Sequence, residues 1–183
     1  MKTIKHLALA LTLMISASSL AQDKKILTVG DAKMNPSKNI MQNLEASSEF
    51  SLIGKVFKAA GYEEILSKEE YTILAPTNDA LKKNTKDKVD FLTNPDNINS
   101  VKDIAAYYII SGKWHAADFG RLLIGNGKKE IKTANGDVLT ISRVNKDFYM
   151  TDKNGNKAKL IITNAIQSNG IIHGIDGTFS PTK

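Results

Sequence analysis

Outside the first 21 residues the chain has two histidines, His115 and His173, and it has no cysteine anywhere. Thiol nucleophiles and thiolate metal sites are therefore excluded. A zinc site would need carboxylates brought from afar, because neither histidine has a second ligand at metal spacing. His173 lies in IIHGID, where alternation puts Ile171, His173 and Ile175 on one face, so a hydrogen-bonded core histidine is favoured over a ligand. His115 follows Trp114 in an expected surface turn and reads as solvated. Glu63-Glu64 and Glu69-Glu70 are paired acids, but a glycosidase needs two carboxylates facing each other across a cleft, and sequence neighbours do not create that geometry. Both pairs flank a short expected helix and read as solvated surface. Ser168 close to His173 suggests a nucleophile, yet no oxyanion-hole motif accompanies it. The expectation is no catalytic residue, no metal and no cofactor.

The stretch TILAPTNDAL, Thr72 to Leu81, poses the same question more sharply. A phosphate cradle at this strand-to-helix corner would call for glycines, and a nucleophile elbow for Gly-x-Ser-x-Gly; neither is present. A structural reading accounts for each residue. Thr72 to Ala75 suit a buried strand, Pro76 lacks an N–H and ends the ladder, and Thr77 sits where an N-cap hydroxyl accepts from the first helical turn. Asn78 and Asp79 then fall in that first turn, where the acid also suits the helix dipole.

The elements that position these residues can be read from periodicity. Apolar residues at Ile40, Met41 and Leu44, then at Phe50, Ile53, Val56 and Phe57, have helical spacing, with Gly61 closing the second helix in a left-handed conformation. A helical turn is expected at Glu63 to Ser67. A further helix stops at Asn94-Pro95, and another runs through Val101, Ile104 and Ala105 before Tyr107 to Ile110 leave it for a strand. Beyond Gly125 the pattern alternates around Asn135-Gly136 and Asn154-Gly155, expected as two-residue hairpin turns that need positive φ. Helices first and antiparallel strands after them predict an α+β domain. Residues 22–36 are polar with one apolar run and read as an extended lead-in or edge strand.

Residues 1–21 read as an export signal: Lys2 and Lys5 form a basic start, Leu7 to Ile15 an apolar centre, and Ser19 and Ala21 the small positions before cleavage after Ala21. Secretion to the periplasm or the cell exterior of a bacterium is expected, without membrane insertion. The chain counts 25 basic and 19 acidic residues; removing the two leader lysines leaves 23 against 19, a net +4. That excess is small and dispersed, so a nucleic-acid partner is not expected.

The segment NAIQSNGIIHGIDGTFSP, Asn164 to Pro181, together with TILAPTNDAL roughly ninety residues earlier, resembles the two signature segments of the fasciclin domain. A strand ending in Ala-Pro-Thr-Asn precedes a helix, and Asn-Gly-apolar-Ile-His-x-Ile-Asp closes the fold. The resemblance implies a wedge-shaped, largely antiparallel β-sandwich with helices packed along one side, occupying residues 37–183. It implies structural roles for Thr72, Pro76, Thr77, Asn78, Asp79, Asn169, Gly170, His173 and Asp176. It also implies a secreted, non-enzymatic binding module acting in cell adhesion or in extracellular matrix or biofilm association, with a cell-surface protein or polysaccharide as partner; the alternative is a glycan or small-ligand receptor. Many such domains carry a Tyr-His pair in an adhesive patch, whereas this chain has Tyr107-Tyr108-Ile109-Ile110. A phenol cannot become cationic near neutral pH, so receptor binding of the animal type is not carried over. The expected contact surface is an exposed patch at Tyr107, Tyr108 and Trp114, unless the tyrosines are core.

Overall fold

The computed structural model describes residues 27–29, 32–84 and 89–180. The expected leader, part of the lead-in and Pro181, the last residue of the second signature segment, lie outside the described residues. Within the lead-in, β1 (Leu27–Val29) and β2 (Ala32–Met34) form a small antiparallel hairpin. Helix α1 (Ile40–Ala46) opens on a reciprocal cap: Asn39 Oδ1 accepts the Gln42 N–H at 2.8 Å, and Gln42 Oε1 accepts the Asn39 N–H at 3.0 Å. Helix α2 (Ser51–Ala59) buries Ile53, Val56 and Phe57 along one stripe, and Gly61, at φ 72°, carries the chain into α3 (Tyr62–Lys68). These elements match the expected helices.

Strand β3 (Tyr71–Pro76) is buried from Thr72 onward and leads into α4 (Asn78–Asn84). Helix α5 (Val89–Thr93) stops at Asn94, a 3-10 turn spans Pro95–Asn97, and α6 (Ile98–Ala106) follows. Strand β4 is limited to Ile109–Ser111. Tyr107 ends α6 instead of starting the strand, because its backbone N–H still bonds to the Asp103 and Ala105 carbonyls. After β4 comes a helix that periodicity did not show, α7 (Ala116–Leu122). Its seven residues include Gly120, too short and too poor a helix former to register in a sequence window. Strands β5 (Lys128–Lys132), β6 (Val138–Val144), β7 (Asp147–Thr151), β8 (Lys157–Gln167) and β9 (Gly170–Ile175) complete the chain.

Seven strands form one sheet in the order β4-β3-β9-β8-β7-β6-β5. All neighbours are antiparallel except β3 and β9, which pair in parallel from Tyr71↔Gly170 to Pro76↔Ile175. The eleven residues of β8 serve both layers. Lys157 to Lys159 pair with β7, Leu160 to Gln167 with β9, and register shifts around Ile162 bend the strand between them. The far edge comes back to the start, where the Ala134 N–H donates to the Ile109 carbonyl at 2.8 Å. The result is an α+β sandwich close to closing on itself, with α1 against β9 and α2 packed among the other helices.

The hairpins differ from expectation in detail. At both Asn-Gly sites the loop is longer than two residues, and only the glycine is left-handed, at φ 85° for Gly136 and 84° for Gly155. Side chains explain the extra length: Asn135 Oδ1 accepts the Asp137 N–H at 3.2 Å, and Asp152 Oδ1 accepts the Asn156 N–H at 2.8 Å. Two-residue turns lie elsewhere, at Asn145-Lys146, with Asn145 at φ 56°, and at Ser168-Asn169 between β8 and β9.

Asn169 ties the helical layer to the sheet. Its Oδ1 accepts the Ile40 N–H at 2.8 Å and its Nδ2 donates to the Leu66 carbonyl at 2.5 Å. Asn169→Ala leaves both backbone groups without that partner, so a stability loss of about 2 kcal/mol is expected from urea denaturation.

Candidate functional site

The two signature segments meet along the parallel β3–β9 pair. The Thr77 N–H extends that ladder by donating to the Ile175 carbonyl at 3.1 Å, and β3 ends at Pro76 as expected. Thr77 Oγ1 accepts the Ala80 N–H at 3.0 Å, the anticipated N-cap. Asn78 joins the starts of α4 and α2: its Oδ1 accepts the Leu52 N–H at 2.9 Å and its Nδ2 donates to the Ser48 carbonyl at 2.8 Å. Asp79 is exposed in the first turn of α4. On the second segment, Asp176 Oδ1 accepts the Lys159 N–H at 2.7 Å and so secures β8 where it begins to bend.

Thr72 and His173 act together on the chain that follows β4. The Thr72 hydroxyl donates to the Gly112 carbonyl at 2.7 Å and accepts the Trp114 N–H at 2.8 Å. His173 is fully buried; its Nε2 lies 2.8 Å from the Trp114 carbonyl and its Nδ1 accepts the Asn164 N–H at 3.4 Å. The Trp114 carbonyl requires the proton on Nε2 and the Asn164 N–H requires a lone pair on Nδ1, which together make the imidazole the neutral Nε2–H tautomer. Burial lowers its pKa from the ordinary value to about 4, outweighing the Trp114 hydrogen bond, which raises it. The ring also packs 5.3 Å from that of Phe119. Ser168 plays no part in this: its backbone N–H bonds to the Lys38 carbonyl, and the histidine nitrogens are engaged elsewhere.

The expected exposed tyrosine patch is corrected. Tyr107 and Tyr108 are buried at 0% and 2% exposure. The Tyr108 hydroxyl donates to the Phe179 carbonyl at 3.2 Å and accepts the Phe179 N–H at 3.0 Å. Tyr107 packs against the Phe179 ring, with centroids 6.1 Å apart. The C-terminal segment thus covers this edge, a tertiary contact between residues 71 apart that no local pattern announces. Burial pushes the Tyr107 phenol up to about 12, with Asp152 and Asp137 adding to the effect, so it stays neutral.

Trp114 is half-buried and remains accessible. Its ring stacks on Phe119 at 5.9 Å with 11° between planes, and its Nε1 donates to the Ser111 carbonyl at 3.0 Å. With Ile110, Leu122, Glu130, Ile131 and Thr133 it lines a cleft of about 300 Å³ at the seam between β4 and β5. His115 is partly buried as the residue before α7, where its backbone N–H donates to Asp118 Oδ2 at 2.7 Å. It therefore begins a helix instead of sitting in a free turn. Glu64 and Glu70 pair with Lys68 and Lys113 at the surface.

Three polar positions went unread in the sequence. Asn164, at φ 60° in the bend of β8, accepts the Ala116 N–H at 2.8 Å on its Oδ1. Asp152 accepts from the Asn156 backbone and from the Ser180 N–H at 2.9 Å. Asn43 donates to Gln167 in the interior. Asparagine's tolerance of positive φ marks Asn164 as a bend residue, but the pairings have no sequence signal. Among the described residues no three His, Asp or Glu side chains gather closely enough to hold a metal ion.

Known proteins resemble this chain in sequence and in fold. A cyanobacterial relative, protein sll1483 of Synechocystis, is 28% identical over 91% of this chain and 87% of its own length. Human periostin is 24% identical over 79% of this chain, which spans 16% of periostin. Fasciclin-like arabinogalactan protein 15 of Arabidopsis thaliana is also 24% identical, over 99% of this chain and 38% of its own. The solved fasciclin domain pair of the insect cell adhesion molecule fasciclin I superposes with a TM-score of 0.69 at 17% identity, covering 80% of this chain and 52% of that one. The fasciclin domain family model matches residues 48–181, from just before α2 through the second signature segment, and on that match the chain belongs to the fasciclin domain family.

Proposed function

We propose that this chain is an exported, non-enzymatic adhesion module that presents the Trp114 cleft to a cell-surface or extracellular matrix partner. The observation that carries the reading is the use made of the signature polar groups. Thr72, Thr77, Asn78, Asn169, His173 and Asp176 each direct their side-chain atoms at backbone groups, so these residues build a corner and hold no reacting group in reserve. The seam cleft then offers an aromatic side chain, set in place by its stack on Phe119, as the anchor for a partner. Fasciclin I, the insect neighbour in fold, is a cell adhesion molecule, which supports the same class of role. Export rests on the basic start and apolar centre of residues 1–21, and no helix among the described residues is long and apolar enough to cross a membrane.

The test compares wild-type protein with Trp114→Ala, both shown to be folded by urea denaturation, in adhesion to cells and to extracted matrix. The substitution is expected to weaken adhesion about tenfold or more. Unchanged adhesion would remove the cleft from the account. No adhesion by the wild type would remove the module reading itself.

A further inference from the structure

On the opposite side of β5 from the core, strands β5 to β8 present an outward face that the signature segments do not touch. Residues 128–159 carry eight basic and four acidic side chains, an excess equal to the +4 left once residues 1–21 are set aside. The register aligns this surface in two rows across the strands. Lys128, Ser142, Tyr149 and Lys159 form one; Glu130, Thr140, Thr151 and Lys157 form the other. Each row crosses three strand spacings, about 14 Å. Beneath them Ile131, Leu139, Ile141, Met150 and Ala158 are buried, so the row side chains point away from the core.

The acids in this region are largely occupied. Asp147 pairs with Lys159 at 2.8 Å, Asp137 lies 3.6 Å from Lys153, and Asp152 is held in its turn by backbone N–H groups. Among the described residues no carboxylate forms an ion pair with Lys128, Lys132 or Lys157. The Lys157 ammonium instead sits 4.2 Å over the Tyr149 ring. Lys128, Thr140, Ser142, Val144, Thr151 and Lys157 line a shallow cleft of about 520 Å³.

We propose that this face docks an acidic polysaccharide, its carboxylates or sulfates on Lys128, Lys132 and Lys157 and its hydroxyls on Thr140, Ser142 and Thr151. The proposal rests on the adhesion reading and adds a site and a partner chemistry to it. Charge complementarity selects an anionic occupant, and the row of hydroxyls suits one dense in hydroxyl groups. A single-stranded nucleic acid would be met by several stacking platforms, and this face has Tyr149 alone. A membrane would be met by an apolar carpet, and Val138, Val144 and Ile161 are scattered aliphatic residues on this face. Glu130, between Lys128 and Lys132 on β5, opposes the anion and limits its affinity.

The test titrates the purified protein with alginate, a polyuronate, alongside neutral dextran, single-stranded polynucleotide and phosphatidylglycerol vesicles. Alginate is expected to bind in preference to the other three, with affinity falling steeply between about 0.1 and about 1 M salt as the screening length shortens. Lys128→Gln, Lys132→Gln and Lys157→Gln together are expected to weaken alginate binding about tenfold. Lys55→Gln, Lys83→Gln and Lys102→Gln, which remove the same charge from exposed helical positions, are expected to leave it unchanged. Glu130→Gln is expected to strengthen it. Equal losses in the two triple variants, equal binding of dextran, polynucleotide or vesicles, or no alginate binding would each overturn the proposal. Because these measurements use purified components, such an outcome leaves the adhesion assays and the reading they test intact. Alginate binding by a protein that adheres to nothing would instead count against that earlier reading alone.

Discussion

Gly170→Ala is expected to be the most damaging glycine-to-alanine change among the described residues, lowering stability by more than about 3 kcal/mol and the thermal midpoint by about 10 °C. A β-carbon at this position would lie 2.0 Å from the Tyr71 carbonyl oxygen and 2.8 Å from Ile40 Cδ1. The first obstacle is backbone in a paired strand, so it cannot swing away as a side chain tip would. Relief requires β3 and β9 to separate where Tyr71 faces Gly170, the first rung of the parallel pair. That rung is also where Asn169 anchors α1 and α3, and the damage therefore reaches the helical layer. Gly127→Ala is the control: an added methyl meets nothing within 4 Å there, and a change within about 0.5 kcal/mol is expected. Urea and thermal unfolding of the two variants make the comparison. A Gly170→Ala protein within about 1 kcal/mol of wild type would mean that the close approach of the two signature segments does not hold the fold together.

The second large effect is an acid transition belonging to His173. Burial holds its folded pKa near 4, below the ordinary value of 6.5. Between those values the unfolded chain takes up a proton that the folded chain refuses, so unfolding gains from every added proton. The stabilising contribution is complete above pH 6.5 and is lost as the pH falls toward 4, a total of about 3 kcal/mol. Protonation would also place an Nδ1–H against the Asn164 N–H, replacing an acceptor with a second donor. Denaturant titrations at pH 7 and pH 4.5 should separate by about 2.5 kcal/mol from this group alone. His173→Gln is expected to lose stability at pH 7 and to show a shallower decline on acidification, so its deficit relative to wild type shrinks at low pH. A His173 signal, assigned by its loss in His173→Gln, that titrates near 6.5 by NMR would contradict the burial argument directly.

Much of this architecture is legible in the residues alone. Where side-chain period and end signals coincide, as in α2 with Phe50, Ile53, Val56, Phe57 and then Gly61, local chemistry is enough to define an element. Thr77 is readable as a cap for the same reason: a hydroxyl three residues before an N–H that needs an acceptor is a contact within one turn. His173 is readable as core from the apolar residues on either side of it. Helix α7 is not, since seven residues carry too little period to distinguish a helix from a loop. The hairpins are recognisable but their lengths are not, because Asn135 and Asp152 choose the turn through side-chain bonds that compete with the two-residue geometry.

The candidate site is legible only in part. Tyr107 and Tyr108 read as exposed aromatics because nothing near them in sequence covers them, and Trp114 joins them on the same ground. Phe179 covers the tyrosines, through both backbone polar groups and its ring. Trp114 escapes that cover and lines the seam, so one residue of the three retains access to a partner.

By itself the sequence determined that helices fill the first half and antiparallel strands the second, the capped corner after β3 and the place of His173 in the core. These depend on side-chain period, turn chemistry and the apolar company of each residue, all of which act within a few positions along the chain. The tertiary structure alone decided that β3 and β9 run parallel, that β8 bends to serve two layers, and which aromatic residues meet solvent. Those outcomes depend on pairing between segments up to about a hundred residues apart, where the free energy is set by which surfaces fit together and no local spacing records the choice.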